Sequence, residues 1–211
     1  MRLRVERLLP DGAALAGGFK LRGAIPGELV EVSPEGRLIK IIEPSPFRQE
    51  GCPLLGRCPG CPWGHITPQG QAQFKRELVK EYLGEEPELW QGSQWGWRWR
   101  AKFLVKRAGE MLYVGLKLRR KLIFDLWRCP LMPEPLNKVL ERAKWVLKEE
   151  GVSVYNPDTG RGKLVALELA GSPDPPGLVL ALHTRLPVRS RLLGSKLAQV
   201  WEGLTGVAEV H

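Results

Sequence analysis

The sequence predicts an α+β chain: a small N-terminal β-barrel, a cysteine-bearing loop, and then a central α/β domain. Three patterns predict it. Short β-prone runs crowd the first residues, two amphipathic helices occupy the second half, and alternating stretches around those helices read as strands. At 211 residues the chain is long enough to bury a sizeable core without disulfide staples.

The N-terminal block, residues 1–48, carries β-prone runs at 3–9, 29–32 and 38–42. Turn signals separate them: Pro10-Asp11-Gly12, Gly17-Gly18, Pro26-Gly27 and Glu35-Gly36. Strands this short and this closely spaced suggest a closed barrel, because closure removes the exposed edges of so small a sheet. Residues 49–92 hold the cysteine loop and a helix over 69–83, where Phe74, Leu78 and Tyr82 recur at helical spacing. Lys75, Arg76 and Lys80 surround that stripe and read as a solvated face. Residues 93–205 form the third block. A hairpin is expected at 101–107 and 112–118 around Ala108-Gly109-Glu110, and strands at 164–169 and 178–182 around a Pro- and Gly-rich turn. Residues 135–150 make the clearest helix, with Leu136, Val139, Leu140, Ala143, Val146 and Leu147 in one stripe and Gly151 as its stop. A second helix is expected over 191–204, ended by Gly206, with a new strand at 207–210.

Composition points to a polyanionic partner. Net charge is +9, from 32 basic and 23 acidic side chains. Residues 98–128 alone contribute +8, since only Glu110 and Asp125 oppose ten cations there. Interleaved with those cations are Trp95, Trp97, Trp99, Phe103, Tyr113, Phe124 and Trp127. Cations grip phosphates and rings stack unpaired bases, so the segment suggests an RNA platform. Strand alternation would place Trp95, Trp97 and Trp99 on one side and Arg98 and Arg100 on the other, with most rings in the core. The start, MRLRVERLLPDG, has charges where a secretory signal needs an apolar stretch, and no uncharged apolar run has the length of a membrane span. A reduced, cytoplasmic setting is expected, with no membrane partner and a monomeric state.

Such a setting matters for the four cysteines, Cys52, Cys58, Cys61 and Cys129. Their spacing is C-x5-C-x2-C followed, after 67 residues, by the last, which precedes Pro130. Soft thiolates select zinc or iron–sulfur centres over hard cations. Zinc sites more often come as two short C-x2-C knuckles, whereas three clustered ligands and one remote Cys-Pro suit a [4Fe–4S] cluster. Zinc, disulfides and a thioredoxin-type pair at Cys58 and Cys61 remain alternatives, although no strand opening a helix surrounds that pair. With all four corners held by thiolate, no iron is open to substrate, so the expected role is a structural staple. His65, just past the loop, reads as a packing residue.

The ordered features resemble one family, the RNA (uracil-C5)-methyltransferases with an N-terminal TRAM domain and a [4Fe–4S] cluster. The resemblance rests on residues 24–30 (AIPGELV), residues 43–48 (EPSPFR) leading to the first Cys, and residues 58–65 (CPGCPWGH). Gln71 to Lys75 is similar to the "Q-x3-K" opening of the next helix. Residues 97–102 (WRWRAK) resemble "W-x-Y-R-N-K", with Trp99 and Ala101 in place of Tyr and Asn. Cys129-Pro130-Leu131 with Leu136-Asn137 resembles the stretch holding the fourth cluster ligand, and Tyr155-Asn156 with Gly160-Arg161-Gly162 the turn before the central strand pair.

The resemblance implies an OB-like (TRAM-like) barrel over 1–48 and RNA, either tRNA or rRNA, as partner. Within the basic block, Arg98, Arg100, Lys102, Lys106, Lys117, Arg119, Arg120 and Lys121 are the expected RNA contacts. It also implies that methyl transfer from S-adenosylmethionine occurs in a further C-terminal domain, of which residues 206–211 would be the start, with a cysteine nucleophile that adds to C6 of uracil. No fifth cysteine and no glycine-rich strand–turn–helix is present in this sequence, and Asp174-Pro175-Pro176-Gly177 reads as a turn between strands. The expected reading is the RNA-recognition and iron–sulfur portion of such an enzyme. A stand-alone, non-catalytic RNA-binding iron–sulfur or zinc protein is the alternative.

Overall fold

In the computed structural model, residues 1–118, 122–185, 191–199 and 204–210 are described. They fall into two units, Met1–Gly92 and Ser93–His211. The first unit opens with six short strands: β1 (Arg2–Arg4), β2 (Arg7–Leu8), β3 (Ala13–Ala16), β4 (Phe19–Arg22), β5 (Leu29–Val32) and β6 (Leu38–Glu43). They do not close into the expected barrel. Instead β1-β5-β6 and β2-β3-β4 are two separate antiparallel sheets.

The single run expected at 3–9 is where this happens. Val5 exchanges backbone hydrogen bonds with Gly27 and Glu28, while Glu6 donates to Leu15 O, so the chain leaves one sheet for the other between two consecutive residues. Val5, Leu8, Ala14, Ala16, Leu21, Ile25, Val30 and Val32 nonetheless build one shared core. A helix, α1 (Pro68–Leu83), adds Phe74 to it, edge-on to Phe47 with centroids 5.7 Å apart. Thr67 caps α1 by accepting from Gly70 N, and Pro68 sits where no intrahelical donor is needed. Phe74 is buried as its spacing requires, but Tyr82, expected in the same stripe, is exposed. Arg76 and Lys80 both pair with Glu86, and Lys75 is exposed, as befits a solvated face.

The second unit is a six-stranded sheet with helices. Its elements are β7 (Arg100–Ala108), β8 (Met111–Lys117), β9 (Ile123–Asp125), α2 (Glu134–Glu149), β10 (Leu164–Pro173), β11 (Pro176–Thr184), α3 (Arg191–Ala198) and β12 (Leu204–Val210). The spatial order is β12-β11-β10-β7-β8-β9, antiparallel throughout except for β11 with β12. That one parallel pair is separated in sequence by α3, as a parallel connection requires. The expected second helix is shorter than its pattern: Leu204 and Gly206 belong to β12, and Val200 and Trp201 lie outside the described residues.

α2 lays Leu136, Val139, Leu140, Ala143 and Leu147 against β8 and β10. Phe103, Val105, Leu112, Val114, Leu167, Leu169, Leu180 and Leu182 are the buried sheet residues beneath the helix layer. Each buried Leu or Phe contributes on the order of 1.5–3 kcal/mol, which is why the two-residue alternation of these strands holds its register. Gly115 lets β9 approach: a Cβ there would stand 1.9 Å from Phe124 O.

Candidate functional site

Residues on β7 alternate between the helix layer and the opposite face. Phe103 and Val105 point to the core, which places Arg100, Lys102 and Lys106 together on the other side. Register extends that side across the sheet. Lys106 stands opposite Tyr113 and Leu104 opposite Gly115, so Lys117 shares their face. Lys102 stands opposite Glu168, Glu168 opposite Ala181, and Ala166 opposite His183. Arg100, Lys102 and Lys117 are exposed there, and Lys106 and Tyr113 are half-buried.

Four of these side chains form a connected string. Arg100 Nε donates to Glu168 Oε1 at 2.6 Å, and Glu168 Oε2 lies 2.7 Å from His183 Nε2. Lys102 Nζ lies 3.2 Å from His183 Nδ1. An ammonium can only donate, so Nδ1 accepts and Nε2 carries the proton given to Glu168. The Arg100 guanidinium, and then His183, hold the Glu168 carboxyl below the usual carboxylate range. Arg100 itself remains 79% exposed, so the string steers its guanidinium without hiding it. Glu168 and His183 carry no local sequence signal for this role. Only hairpin register brings them beside Arg100 and Lys102.

The remaining predicted RNA contacts behave differently. Arg98 precedes the sheet; its backbone N–H donates to Leu131 O and its guanidinium lies 5.1 Å over the Trp97 ring. Arg119, Arg120 and Lys121 lie outside the described residues. The expectation that most rings are core fails. Phe103 is buried, Trp99, Tyr113 and Phe124 are half-buried, and Trp95, Trp97 and Trp127 are exposed. The reason is that β7 begins only at Arg100, so the alternation read through Trp95, Trp97 and Trp99 falls on a bend and the irregular stretch after it rather than on a strand.

The cysteines occupy two settings. Cys52, Cys58 and Cys61 lie on successive turns in the first unit, between the paired residues Arg48 and Ile66. Gln49 donates to Gly64 O and Ile66 O, and Gln71 to Trp63 O and Ile66 O, so side-chain amides tie down the loop's exit. Arg48, at its entrance, is gripped by fully buried Glu28 through Nε at 2.6 Å and Nη2 at 2.7 Å. Gly12 lets the loop sit against the hairpin turn, since a Cβ there would meet Pro62 at 2.7 Å. His65 is buried, its Nε2 3.4 Å from Ala24 O, and burial is the main cause that pushes its imidazole below the ordinary range.

Cys129 lies in the second unit, and Asn137 holds its backbone. Cys129 N–H donates to Asn137 Oδ1 at 2.8 Å, and Asn137 Nδ2 donates to Cys129 O and Met132 O, each at 3.1 Å. All four cysteines are half-buried and none forms a disulfide. The three cysteines of the first unit offer sulfur donors alone, the ligand type iron–sulfur groups take, and Leu54 N–H donates to Cys52 Sγ at 3.4 Å. Among the described residues, no three His, Cys, Asp or Glu side chains converge as a metal-ligand set.

No helix among the described residues is long and apolar enough to cross a membrane. No protein-family model matches the chain. Individual proteins do. The 23S rRNA (uracil(747)-C(5))-methyltransferase of Pyrococcus furiosus is 31% identical over 169 residues, 74% of this chain and 40% of that protein. The tRNA (uracil(54)-C(5))-methyltransferase of Pyrococcus horikoshii is 30% identical over 176 residues, 78% of this chain and 42% of that protein. A third, the 23S rRNA (uracil(1939)-C(5))-methyltransferase RlmD of Dechloromonas aromatica, is 33% identical over 138 residues, 56% of this chain and 32% of that protein. The chain thus spans less than half the length of these relatives. In fold it matches the crystal structure of the Pyrococcus abyssi tRNA (uracil-54, C5)-methyltransferase in complex with S-adenosyl-L-homocysteine, with a TM-score of 0.71 at 23% identity, over 89% of this chain and 46% of that one. Over the part of those proteins that it spans, the chain is related to the RNA uracil-C5 methyltransferases.

Proposed function

We propose that this chain is the RNA-recognition and iron–sulfur portion of an S-adenosylmethionine-dependent uracil-C5 methyltransferase acting on tRNA or rRNA in the cytoplasm. The observation that carries the reading is the sheet face turned away from α2, where Arg100, Lys102, Lys106 and Lys117 gather beside Tyr113. Phosphate contacts supply affinity and stacking on a ring supplies the hold on an unpaired strand. Residues 1–48 act as a TRAM-like module, and Arg119, Arg120 and Lys121 add to the charge of the basic segment. Cys52, Cys58, Cys61 and Cys129 would hold the cluster, and its binding energy would add to folding. With every cysteine so used, none remains in this sequence to attack C6 of uracil. The second reading is a stand-alone, non-catalytic RNA-binding iron–sulfur or zinc protein.

The test is RNA binding by the full chain, followed by fluorescence anisotropy with a uridine-containing stem–loop at several salt concentrations. Affinity that falls steeply with salt, and falls again on charge reversal of Lys102, Lys106 and Lys117, supports the reading. Affinity independent of salt would mean that the charge excess serves solubility alone.

A further inference from the structure

Two tryptophans stand apart from the cationic sheet face. Trp127 follows β9, the edge strand, and Trp145 projects from the outer side of α2; they are 43% and 50% exposed. Their ring centroids lie 6.0 Å apart with 58° between the planes. The pair is held in place from below. Lys144, its side chain only 2% exposed, donates to Asp125 Oδ1 at 2.7 Å and to Leu126 O at 3.1 Å, and its ammonium lies 3.9 Å from the centre of the Trp127 ring. Lys148 places a second ammonium 5.6 Å from the centre of the Trp145 ring.

A buried lysine costs solvation, and here that cost is offset by a carboxylate, a carbonyl and an indole face. The result is an aromatic pair fixed in position yet left open to water, braced by the buried Lys144–Asp125 pair and flanked by the exposed Lys148. Trp90, by contrast, is 98% exposed and has no ring or cation partner among the described residues. Glu141 and Glu149 lie one turn to either side of Trp145, and Glu134 pairs with Arg128, so the rim is mixed, with Lys148 the exposed cation over a ring.

We infer that Trp127 and Trp145 form a stacking site for an unpaired base of the RNA strand, on the helix side of the second unit and separate from the Arg100–Lys102 face. The inference rests on the RNA-binding reading above. Every base offers a π face, and a phosphate flanking a stacked base can meet the exposed Lys148 ammonium; an uncharged peptide would gain nothing from that charge.

The experiment compares the full chain with W145A, W127A, W145F and W90A in binding two probes of equal length and charge: an oligouridylate and an abasic ribose-phosphate oligomer. W145A and W127A should each lose roughly 5- to 150-fold in affinity for the oligouridylate, the range for removing one stacking partner, and bind the abasic oligomer as the parent does. W145F should retain most of the affinity, because a phenyl ring still stacks, and W90A should match the parent. Equal losses on both probes, or no loss on either, would overturn the inference while leaving RNA binding intact. So would self-association of the parent that W145A abolishes, since a second copy would then cover the pair. A parent that binds neither probe would overturn the RNA-binding reading itself.

Discussion

Asn137 grips Cys129 at both polar groups of its backbone, accepting from the N–H and donating to the C=O, while the same amide also reaches Met132 O. An amide matches this pattern because it offers an acceptor and a two-proton donor in one plane. Since Asn137 belongs to the first turn of α2, the helix fixes where the cysteine stands. N137A should destabilise the second unit by about 1–3 kcal/mol, the cost of leaving buried polar groups unsatisfied. It should also lower iron content, whereas N137S should not restore it, because a hydroxyl cannot span both groups. Urea unfolding and iron analysis of anaerobically prepared protein check the two effects separately.

Cys129 itself gives the sharper test of the cluster. Protein prepared without oxygen should be brown, with iron and sulfide in the amounts of one [4Fe–4S] group per chain. C129S should lose that colour. One zinc and no iron in the parent protein would overturn the assignment, and zinc would then explain the same four thiolates.

Salt dependence tests the cationic face. With roughly four to six phosphates neutralised on largely single-stranded RNA, log affinity should fall against log salt with a slope on the order of −3 to −4. Charge reversal at Lys102, Lys106 and Lys117 should flatten that slope by about 2, roughly 0.7 for each phosphate no longer neutralised. Reversal at Lys75 and Arg76 should change it less, because that face of α1 is solvated and Arg76 already pairs with Glu86. Equal flattening by both sets would deny the sheet face a special role.

Glu168 predicts an acid limb of stability. Its carboxyl is held below the usual carboxylate range, first by Arg100 and then by His183. A depressed carboxylate stabilises the fold above its unfolded pKa, and that contribution is lost as pH falls through the lower folded value. Chemical denaturation from pH about 5.5 downward should therefore show a shallower loss in E168Q than in the parent. An identical acid limb in both would mean that the Arg100–Glu168 pair is too exposed to contribute, as many surface pairs are.

Much of the chain is legible from sequence alone, and the misses share one cause. Helical stripes and strand alternation are set by residues a few positions apart, so α1, α2 and the β7–β8 and β10–β11 hairpins lie close to where their patterns put them. The cysteine set, the charge excess at residues 98–128 and the family likeness are equally local. Pairing across distance is not. The β3–β4 hairpin, AALA and FKLR around Gly17-Gly18, has no β-branched residue and little β signal, and the passage from one small sheet to the other at Val5 and Glu6 depends on partners about ten to twenty positions away. Exposure of the Trp95, Trp97 and Trp127 rings turns on where strands begin and end. The Arg100–Glu168–His183–Lys102 string bonds residues as many as 81 positions apart through β-sheet register. The clamp of Asn137 on Cys129 needs the first turn of α2 folded back on the chain before it. Sequence by itself determined which chemistry the chain carries; the tertiary structure decided which side chains share a face, because register and chain reversal are settled by long-range packing and not by neighbours in sequence.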